Sequence, residues 1–461
     1  MVNKSKIIEK LTLISGSENV LTEPEDMISL SYDGTPLYEM LPLCAISPQT
    51  VEQISQILKA AHELEFKVVP RGTGTGLSGG AIPVANSVIV MMHHWDKIIE
   101  IDEKNLTVTV QPGVITQDLH TAVEACGLFY PPDPGSMKIC TIGGNVAENS
   151  GGLRGLKYGV TSSYVMGLQA VLPEGSIVSF GNKCVKNVSG INMKDIFVGS
   201  EGILGIITEI VLKLIPKPQD QKTMLAFFNT IEDAGETVSA IIAEKIIPCT
   251  LEFLDQTTIK CVEDFAKIGL PIEYEALLLI EVDGPSIIVE DEAARIIDIC
   301  KKHGAQNVEF ARNSEEAEKL KTARRAAFTA LARVKPTTIL EDATVPRDKV
   351  APMLRQIQII AKKYNLLFGT FGHAGDGNLH PTCLTDERLT DEMERVELAF
   401  EEIFKVALEM GGTLTGEHGI GVAKKKFLAK FEMPANLQLM KKIKTTLDPN
   451  NILNPGKVFD L

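Results

Sequence analysis

The sequence RGTGTGLSGG at residues 71–80 decides how the first half of the chain is interpreted. It follows a predicted strand at residues 67–70 and contains a GxGxxG pattern that starts at Gly74, which alone would suggest a Rossmann dinucleotide site. A Rossmann fingerprint opens a helix, whereas Pro83 and the β-rich residues 87–92 follow this turn. The sequence has no Walker A lysine here, so a nucleoside triphosphatase is not supported. The turn still offers backbone N–H groups that suit a pyrophosphate, and a tight structural turn is the alternative.

Two further glycine-rich segments follow in the first half of the chain. PPDPGS (131–136) and TIGGNVAENSGG (141–152) form the second segment, and GSEGILGIITE (199–209) forms the third. Because of its glycines, the second segment cannot be one regular helix or strand throughout. Such a backbone can approach a large ligand closely, so the sequence predicts a ligand site built from these segments.

After a proline-containing linker at 216–218, the pattern changes to alternating strands and helices. The predicted strands are 224–228, 251–254, 276–282 and 307–310, and the predicted helices are 234–243, 287–300 and 317–334. This succession predicts an α+β layer in which helices cover an antiparallel sheet. The last helix is unusually basic and includes Arg324 and Arg325.

Two histidines lie seven positions apart in FGHAGDGNLH at residues 371–380. In a straight strand, this odd spacing would point the rings of His373 and His380 to opposite faces. The intervening glycines allow the backbone to fold back, so that both imidazoles can converge on one point. Paired imidazoles suit a divalent transition metal, and TGEHGIG at residues 415–421 offers a third ligand. The alternative is that these are loop histidines without a metal.

Composition limits the class of protein. The chain has 461 residues, a formal net charge of −14 and 44% hydrophobic residues, an ordinary globular mix that suggests roughly two to four domains. The sequence has no long basic run, which argues against nucleic acid as a partner. The lysine run at 424–426 is predicted to be a solvated helix face, and contact with an anionic substrate or partner is the alternative.

The eight cysteines are scattered without a CxxC or ferredoxin-like spacing, so no iron–sulfur cluster is expected. The amino terminus is predicted to form a short amphipathic helix and not a signal sequence. No apolar run approaches the length of about 20 residues that a helix needs to span a bilayer. We therefore expect free thiols, no transmembrane segment and a cytoplasmic location.

Several motifs, taken together and in order, resemble a known superfamily. PRGTGTGLSGG, PPDPGS, TIGGNVAENSGG, YGVTSSYVMGLQAVLPEG and GSEGILGIITEI resemble the FAD-binding domain of the vanillyl-alcohol oxidase/p-cresol methylhydroxylase (PCMH) superfamily. FGHAGDGNLH, TGEHGIG and NPGK resemble its D-2-hydroxyacid dehydrogenase branch, which includes the glycolate oxidase FAD subunit and FAD-dependent D-lactate dehydrogenases.

The resemblance implies an α+β fold in three parts. The first is a two-part, PCMH-type FAD-binding domain with a helical lead-in, at residues 1–219. The second is a ferredoxin-like α+β substrate domain at 220–412. The third is a helical C-terminal segment at 413–461, which returns to the flavin and completes the active site.

The cofactor implied by the resemblance is noncovalent FAD. Covalent relatives often use a histidine in the first glycine turn, whereas residues 71–80 contain none, and His93 and His94 lie beyond it. The residues that would bind FAD, by motif position, are Arg71, Gly72, Thr73, Gly74, Thr75, Gly76, Leu77 and Ser78 at the pyrophosphate, Pro134, Ser136, Thr141, Gly144, Asn145, Asn149 and Gly152 around the flavin and its tail, Gly202 and Ile206 at the adenosine, and Asn454 near the C-terminus.

The reaction implied by the resemblance is the oxidation of a small D-2-hydroxy acid, D-lactate foremost, to the 2-oxo acid. The alternatives are glycolate oxidation by an FAD subunit, a metal-free flavin oxidase of aryl-alcohol type and a non-catalytic electron-transfer flavoprotein. Because the sequence has neither a cluster motif nor a second nucleotide motif, electrons are expected to pass to a partner protein. That partner would be an electron-transfer flavoprotein or an iron–sulfur subunit.

The resemblance also assigns residues to this chemistry. A divalent metal would polarise the substrate hydroxyl, and zinc, iron(II) or manganese(II) suits two nitrogens and one oxygen. Its ligands would be His373, His380 and Glu417. His418 would act as the general base, and Arg324 would bind the substrate carboxylate with its planar fork. Relatives can carry a second carboxylate-binding lysine where this chain has Leu340, which favours a small monocarboxylate.

Overall fold

The strand Lys67–Arg71 leads into the first glycine turn from a four-stranded sheet. The computed structural model describes residues 3–461, so the first two residues of the predicted domain at 1–219 lie outside the described residues. The elements of this part are α1 (Lys4–Ser15), β1 (Val20–Leu21), α2 (Pro24–Ile28), β2 (Cys44–Ile46), α3 (Val51–Leu64), β3 (Lys67–Arg71) and β4 (Ser87–Met91). The strand order is β1-β2-β4-β3, and β4 is parallel to both β2 and β3. The turn therefore leaves the carboxyl end of a parallel strand, where open α/β sheets bind ligands.

Helix α3 is positioned by its cap and its apolar face. The Thr50 side chain accepts a hydrogen bond from the Gln53 N–H at 3.3 Å, which satisfies a free donor at the helix start. Ile54, Ile57 and Leu58 follow at helical spacing and are buried against the four-stranded sheet. This packing supports the strand that carries the glycine turn.

A five-stranded antiparallel sheet completes the first half of the chain. Its elements and the adjoining short ones are β5 (Ile98–Asp102), β6 (Thr107–Val110), α4 (Thr116–Glu124), β7 (Leu128–Phe129), α5 (Ile142–Glu148), α6 (Gly155–Tyr158), β8 (Val165–Val171), β9 (Ile177–Gly181), α7 (Lys194–Phe197), β10 (Ile206–Lys213) and β11 (Ile215–Pro216). The strand order is β5-β6-β10-β8-β9. The short helix α5 lies inside the second glycine-rich segment, between the Thr141 cap and Asn149, whose φ is 56°. The expected irregular backbone is therefore found on both sides of this helix.

The second half of the chain forms an eight-stranded antiparallel sheet. Its elements are β12 (Asp220–Phe228), α8 (Ile231–Ala243), β13 (Thr250–Asp255), α9 (Gln256–Ala266), β14 (Ala276–Gly284), α10 (Ser286–Lys302), β15 (Ala305–Phe310), α11 (Ser314–Arg325), α12 (Ala327–Leu331), β16 (Thr337–Leu340), β17 (Ala343–Thr344), α13 (Val350–Lys363), β18 (Leu367–His373), β19 (Asn378–Thr385) and α14 (Thr390–Glu409). The strand order is β15-β12-β14-β13-β18-β19-β16, and β17 pairs with β19. The helix predicted over 317–334 is two helices that meet at Ala326.

Strand β12 shows that helices cover both faces of this sheet. Met224, Ala226 and Phe228 pack into the apolar core on one face, whereas Leu225 and Phe227 pack into the core on the other. Successive side chains of a strand point to opposite faces. The uninterrupted apolar run of this strand is therefore explained by burial on both sides.

The β18–β19 hairpin brings the two motif histidines to the same face of the sheet. Its antiparallel register pairs Phe371 with His380 and His373 with Asn378. Residues two apart on a strand share a face with their cross-strand partners. The hairpin thus achieves the predicted convergence of the two imidazoles.

The C-terminal segment returns to the first sheet. Helices α15 (Lys425–Phe431) and α16 (Pro434–Leu447) are followed by an extended stretch in which Leu453 forms a parallel bridge with Val68. The Asn454 N–H donates to the Val68 carbonyl at 2.7 Å. The last residues therefore lie beside β3 and the first glycine turn. Within the described residues, three short 3₁₀ helices lie at Ser17–Asn19, Thr161–Ser163 and Arg347–Lys349.

Candidate active site

A cavity of about 800 Å³ lies where the glycine-rich segments, the antiparallel sheet and the C-terminal segment meet. Its volume is that of a site for a cofactor or a small ligand. The predicted FAD-binding residues that line it are Arg71, Gly72, Thr73, Gly74, Thr75, Gly76, Leu77, Pro134, Ser136, Thr141, Gly144, Asn145, Gly202, Ile206 and Asn454. The predicted catalytic residues and metal ligands that line it are Arg324, His373, His380, Glu417 and His418. The cavity therefore brings together residues from both halves of the chain.

Three predicted FAD-binding residues do not line the cavity and are engaged in packing. Ser78 is fully buried, and its carbonyl oxygen accepts a backbone hydrogen bond at 2.8 Å. Asn149 ends α5, and its side chain accepts a hydrogen bond from the Ser162 N–H at 2.8 Å. A Cβ atom at Gly152 would lie 2.5 Å from the carbonyl oxygen of Asp133. The structure thus gives these residues a role in shaping the wall.

The first glycine turn and the start of α5 touch at Gly72. A Cβ atom at this position would lie 2.5 Å from Thr141 Oγ1, so glycine is needed for the approach. The two segments are thereby held together along the cavity wall. The unobstructed N–H groups of the turn suit the oxygens of a pyrophosphate, so the wall fits the tail of a dinucleotide such as FAD.

Glu417 meets the two hairpin histidines at the cavity wall. Its Oε1 lies 3.1 Å from His373 Nε2 and 3.4 Å from His380 Nε2. Two ligand atoms of one ion, each bonded at about 2.1 Å, are separated by about 3.0–3.4 Å in tetrahedral or octahedral geometry. With all three ligand atoms within 4.8 Å of one another, these side chains are candidate ligands of one divalent ion.

The other nitrogen of His373 faces a buried carboxylate that belongs to no sequence motif. His373 Nδ1 lies 2.8 Å from Glu252 Oε1, on strand β13. Burial opposes a charge on His373, but the carboxylates of Glu252 and Glu417 outweigh it and hold the pKa of this imidazole well above its usual range. Metal-binding histidines commonly present their second nitrogen to a carboxylate in this way. Within the predicted strand at 251–254, Glu252 is an acid among apolar residues, and this was the only sign of its role in the sequence.

The loop that carries Glu417 and His418 is held by one carboxylate, that of Asp342. Its Oδ2 accepts hydrogen bonds at 2.8–3.1 Å from three consecutive backbone N–H groups, those of Gly416, Glu417 and His418. Its Oδ1 pairs with Lys424. Burial would raise the pKa of Asp342, but His418, Lys424 and these hydrogen bonds hold it below its usual range. Asp342 is therefore a fixed anion around which the loop is built.

The burial of Lys424 corrects the prediction of a solvated helix face. Its Nζ pairs with Asp342 and lies 3.2 Å from Glu341 Oε2, and only 1% of its side chain is exposed. Lys425 and Lys426, by contrast, pair with carboxylates nearer the surface. The prediction was wrong for Lys424 because the acid that neutralises it lies 82 residues earlier in the chain.

His418 lies beside His380 with nearly parallel rings, whose centroids are 5.1 Å apart. Burial lowers the pKa of His418 to about 4, so its imidazole is neutral near pH 7. Its Nδ1 faces Asp342 Oδ1 at 3.6 Å, and its Nε2 lies 4.0 Å from Glu417 Oε1. A neutral imidazole therefore presents Nε2 toward the histidine–carboxylate cluster.

Two consecutive arginines at the end of α11 reach the cavity. Arg324 Nη2 lies 2.6 Å from Glu252 Oε2, and the guanidinium lies over the Phe371 ring at 4.7 Å from its centroid. Arg325 donates to Asp133 Oδ2 at 3.1 Å. The predicted substrate arginine thus contacts the carboxylate behind the metal-ligand cluster, and its neighbour is a second cation on the same wall.

The fold and the cavity define a class of protein in which glycine-rich turns and a histidine–carboxylate cluster line one ligand site. Two family comparisons specify it. Residues 42–181 match the family described as FAD binding domain, and residues 217–458 match the C-terminal domain of FAD linked oxidases. The chain belongs to the FAD-linked oxidase family, and it is an FAD-dependent oxidoreductase.

Relatives over the full length support this assignment. The chain is 54% identical over 459 residues to the glycolate oxidase subunit GlcD of Bacillus subtilis, covering 100% of this chain and 97% of the relative. It is 35% identical to the D-lactate dehydrogenase of Anaerostipes hadrus, covering 98% and 97%. A crystal structure of p-cresol methylhydroxylase with substrate bound superposes with a TM-score of 0.81 at 18% identity, covering 99% of this chain and 97% of that one.

These findings confirm the predicted superfamily and the α+β fold with a PCMH-type FAD-binding domain. Within residues 3–461, no helix has the length and apolar character that a membrane crossing requires.

The Asp342–Lys424 pair yields a prediction about stability. Replacing Asp342 with Asn leaves a buried lysine with one carboxylate fewer, and we expect the chain to lose about 3 kcal/mol of stability, seen as a lower Tm in thermal unfolding. Adding Lys424→Met to Asp342→Asn should recover part of this loss. The control is Lys426→Met, which removes an ion pair nearer the surface with Glu397 and should change stability by less than about 1 kcal/mol. Equal Tm values for Asp342→Asn and the control would contradict the assignment.

Proposed function

We propose that this protein uses FAD to oxidise a small 2-hydroxy acid to the 2-oxo acid. The observation that carries the proposal is the cluster of His373, His380 and Glu417, with neutral His418 beside it, on the wall of the same cavity as the FAD-binding glycine turns. Glycolate and D-lactate, named in the relatives, are both small 2-hydroxy acids. The sequence analysis favoured D-lactate as the substrate. Because the chain is more similar to the glycolate oxidase subunit than to the D-lactate dehydrogenase, we propose glycolate as an equally supported substrate.

We propose that FAD binds noncovalently along the glycine turns, through the predicted residues that line the cavity. The first turn has no histidine to form a covalent bond. When bound, FAD supplies the acceptor for the hydride removed from the substrate.

We also propose the division of the chain into three parts at 1–219, 220–412 and 413–461. The first boundary is supported by the strands on either side of it, because β11 ends at Pro216 and β12 begins at Asp220.

We propose that His373, His380 and Glu417 bind a divalent ion, which would be zinc, iron(II) or manganese(II). Such an ion polarises a hydroxyl oxygen and lowers the cost of removing its proton. The chain supports this role in two ways. The ligand atoms lie within 4.8 Å of one another, and the carboxylate of Glu252 orients His373 from behind. A metal-free aryl-alcohol oxidase would not need this arrangement.

His418 is the proposed general base. Its Nδ1 is directed toward the Asp342 carboxylate, which favours a proton on Nδ1 and leaves the lone pair of Nε2 free. That nitrogen would take the hydroxyl proton of the substrate. Because the loop backbone is fixed by Asp342, the base and the Glu417 ligand keep a constant separation.

The substrate carboxylate would bind at the arginine pair. Arg324 is the predicted residue, and its Nε has no hydrogen-bond partner among the described residues. Its Nη2 is close to Glu252, however, so Arg325 is the second candidate on the same wall. Leu340 also lines the cavity. Its apolar side chain offers no partner for a second carboxylate, which supports a monocarboxylate substrate.

The electron acceptor and the location are also proposals. With no iron–sulfur cysteine spacing in the sequence, the reducing equivalents would pass to a partner, either an electron-transfer flavoprotein or an iron–sulfur subunit. The scattered free cysteines are consistent with the proposed cytoplasmic location.

Anaerobic addition of substrates tests the proposed function. We expect glycolate or D-lactate to bleach the flavin absorbance of the purified chain, and L-lactate and benzyl alcohol to leave it unchanged. Metal analysis of the same sample should find about one divalent ion per chain. Slow return of the absorbance in air would support a protein acceptor. Bleaching by benzyl alcohol alone would favour the aryl-alcohol oxidase instead, and no bleaching by any acid would favour a non-catalytic flavoprotein.

Replacing His418 with Asn should remove the base and retain the contact with Asp342. We expect kcat to fall about 10²- to 10⁴-fold, with FAD and metal content unchanged, because the three metal ligands and the glycine turns are intact. Steady-state kinetics and elemental analysis provide the measurements. The exposed His94→Asn variant is the matched control. A kcat within a few fold of the wild-type value would remove His418 from the reaction.

Arg324→Lys and Arg325→Lys distinguish the two arginines. Lysine keeps the charge but lacks the fork, so the variant at the carboxylate-binding position should raise KM about tenfold or more with a smaller effect on kcat. We expect this result for Arg324→Lys. A larger KM increase in Arg325→Lys would transfer the role to the neighbouring residue, and no KM change in either would remove the arginine pair from substrate binding.

A further inference from the structure

Helix α5 ends at the cavity with a carboxylate that has no role in the chemistry described above. This residue, Glu148, lines the cavity. Its Oε2 is buried and has no hydrogen-bond partner among residues 3–461. Its Oε1 lies near the end of the first glycine turn, where a Cβ atom at Gly80 would be 2.9 Å from it. A buried carboxyl without a partner is unusual in proteins, so a bound ligand is the expected partner.

A second buried carboxylate, that of Glu201, lies next to it. A Cβ atom added to Gly419 would touch Glu148 Oε2 and lie 3.1 Å from Glu201 Oε1. Two neighbouring carboxyl groups cannot both stay ionised without a large cost, so one of them holds a proton. Glu201 accepts backbone hydrogen bonds from Ile420 and Gly421 at 2.7 and 2.6 Å. Because these bonds stabilise an anion, the negative charge belongs on Glu201 and the proton on Glu148.

The other charged groups near Glu148 agree with this distribution. Burial, followed by the charges of Glu201 and Asp33, raises the pKa of Glu148 well above its usual range. Lys424 acts in the opposite direction, but it is already paired with Asp342. Glu148 is thus a neutral acid whose proton has no acceptor among residues 3–461.

We propose that Glu148 is a protonated carboxylic acid that donates a hydrogen bond to the ring system of the bound FAD. This inference rests on the proposed binding of FAD in the cavity, but on neither the substrate nor the metal. Glu148 lies between Gly80, at the end of the first glycine turn, and Gly419, two residues after Glu417. Glu148 lines the same cavity as the turn and the histidine–carboxylate cluster, so a cofactor that fills this cavity would contact it. The carbonyl oxygens and nitrogens of a flavin ring are acceptors for such a donor.

The proposed donor has a consequence for the redox properties of the flavin. A neutral donor stabilises the additional electron density of the reduced ring, whereas a carboxylate at the same place would oppose it. Glu148→Gln keeps a neutral donor of nearly the same shape. Glu148→Leu removes the donor and keeps a similar volume. The two variants therefore separate hydrogen bonding from packing.

The test uses the full-length holoprotein and reduced-minus-oxidised infrared difference spectroscopy. The wild-type protein should show the C=O stretching band of a protonated carboxyl group that shifts when the flavin is reduced. This band should be absent in Glu148→Gln and present in the exposed control Glu174→Gln. Glu148→Leu should weaken FAD binding about 3- to 10-fold, the loss of one neutral hydrogen bond, and lower the midpoint potential. Glu148→Gln should stay close to the wild-type value in both.

Persistence of the band in Glu148→Gln would overturn the proposal, because the proton would then belong to another group. Unchanged FAD affinity and midpoint potential in Glu148→Leu would also overturn it. Both outcomes leave the proposed function intact, since flavin bleaching by substrate would continue. A wild-type chain that retains no FAD would overturn the FAD site itself, and this inference with it.

Discussion

The loop at residues 415–421 has neither helix nor strand, yet fixed acceptors bind most of its backbone N–H groups. Asp342 accepts three of them, Glu201 accepts two, and the Ser78 carbonyl accepts two more immediately after the loop. Buried N–H groups are costly without partners, so these acceptors dictate the shape of the loop. Ser78 and Glu201 belong to glycine-rich segments of the FAD-binding part, whereas Asp342 follows a strand of the antiparallel sheet. The loop therefore joins both halves of the chain and sets Glu417 against the hairpin histidines.

Buried charges at the site need partners, as the buried N–H groups of the loop do. Asp342 is neutralised by Lys424, and Glu252 is neutralised by Arg324. A buried charge without a counterion is strongly unfavourable. Among the described residues, Glu417 pairs with imidazoles and with no lysine or arginine, and imidazoles are neutral when they bind a metal. The proposed divalent cation would complete the charge balance at this point.

Local sequence signals predicted a large part of this arrangement. The glycines between His373 and His380 indicated a reversal of the chain, and the hairpin register delivers it. The glycine-rich stretches indicated a close approach to a ligand, and most of their predicted residues line the cavity. Each of these signals lies within a short stretch of consecutive residues, so local backbone preferences are enough to predict the chain reversal and the close approach.

The residues that escaped prediction act across long distances in the chain. Asp342 and Glu252 belong to no motif, and each becomes recognisable only when the sheet brings it to the loop or the hairpin. Lys424 was misinterpreted because the local sequence shows a charged run and not the buried acid it meets. Motif position also does not reveal side-chain orientation, which is why Ser78 and Asn149 lie outside the cavity lining despite their motifs.

The central claim is that His373, His380 and Glu417 bind a divalent ion at the wall of the proposed FAD cavity. Anomalous X-ray diffraction from crystals of the full-length holoprotein, at the absorption edge of the metal found by elemental analysis, tests it most directly. The account predicts one anomalous peak about 2.0–2.3 Å from His373 Nε2, His380 Nε2 and a carboxylate oxygen of Glu417. Fully active protein without a peak at that position would contradict the claim.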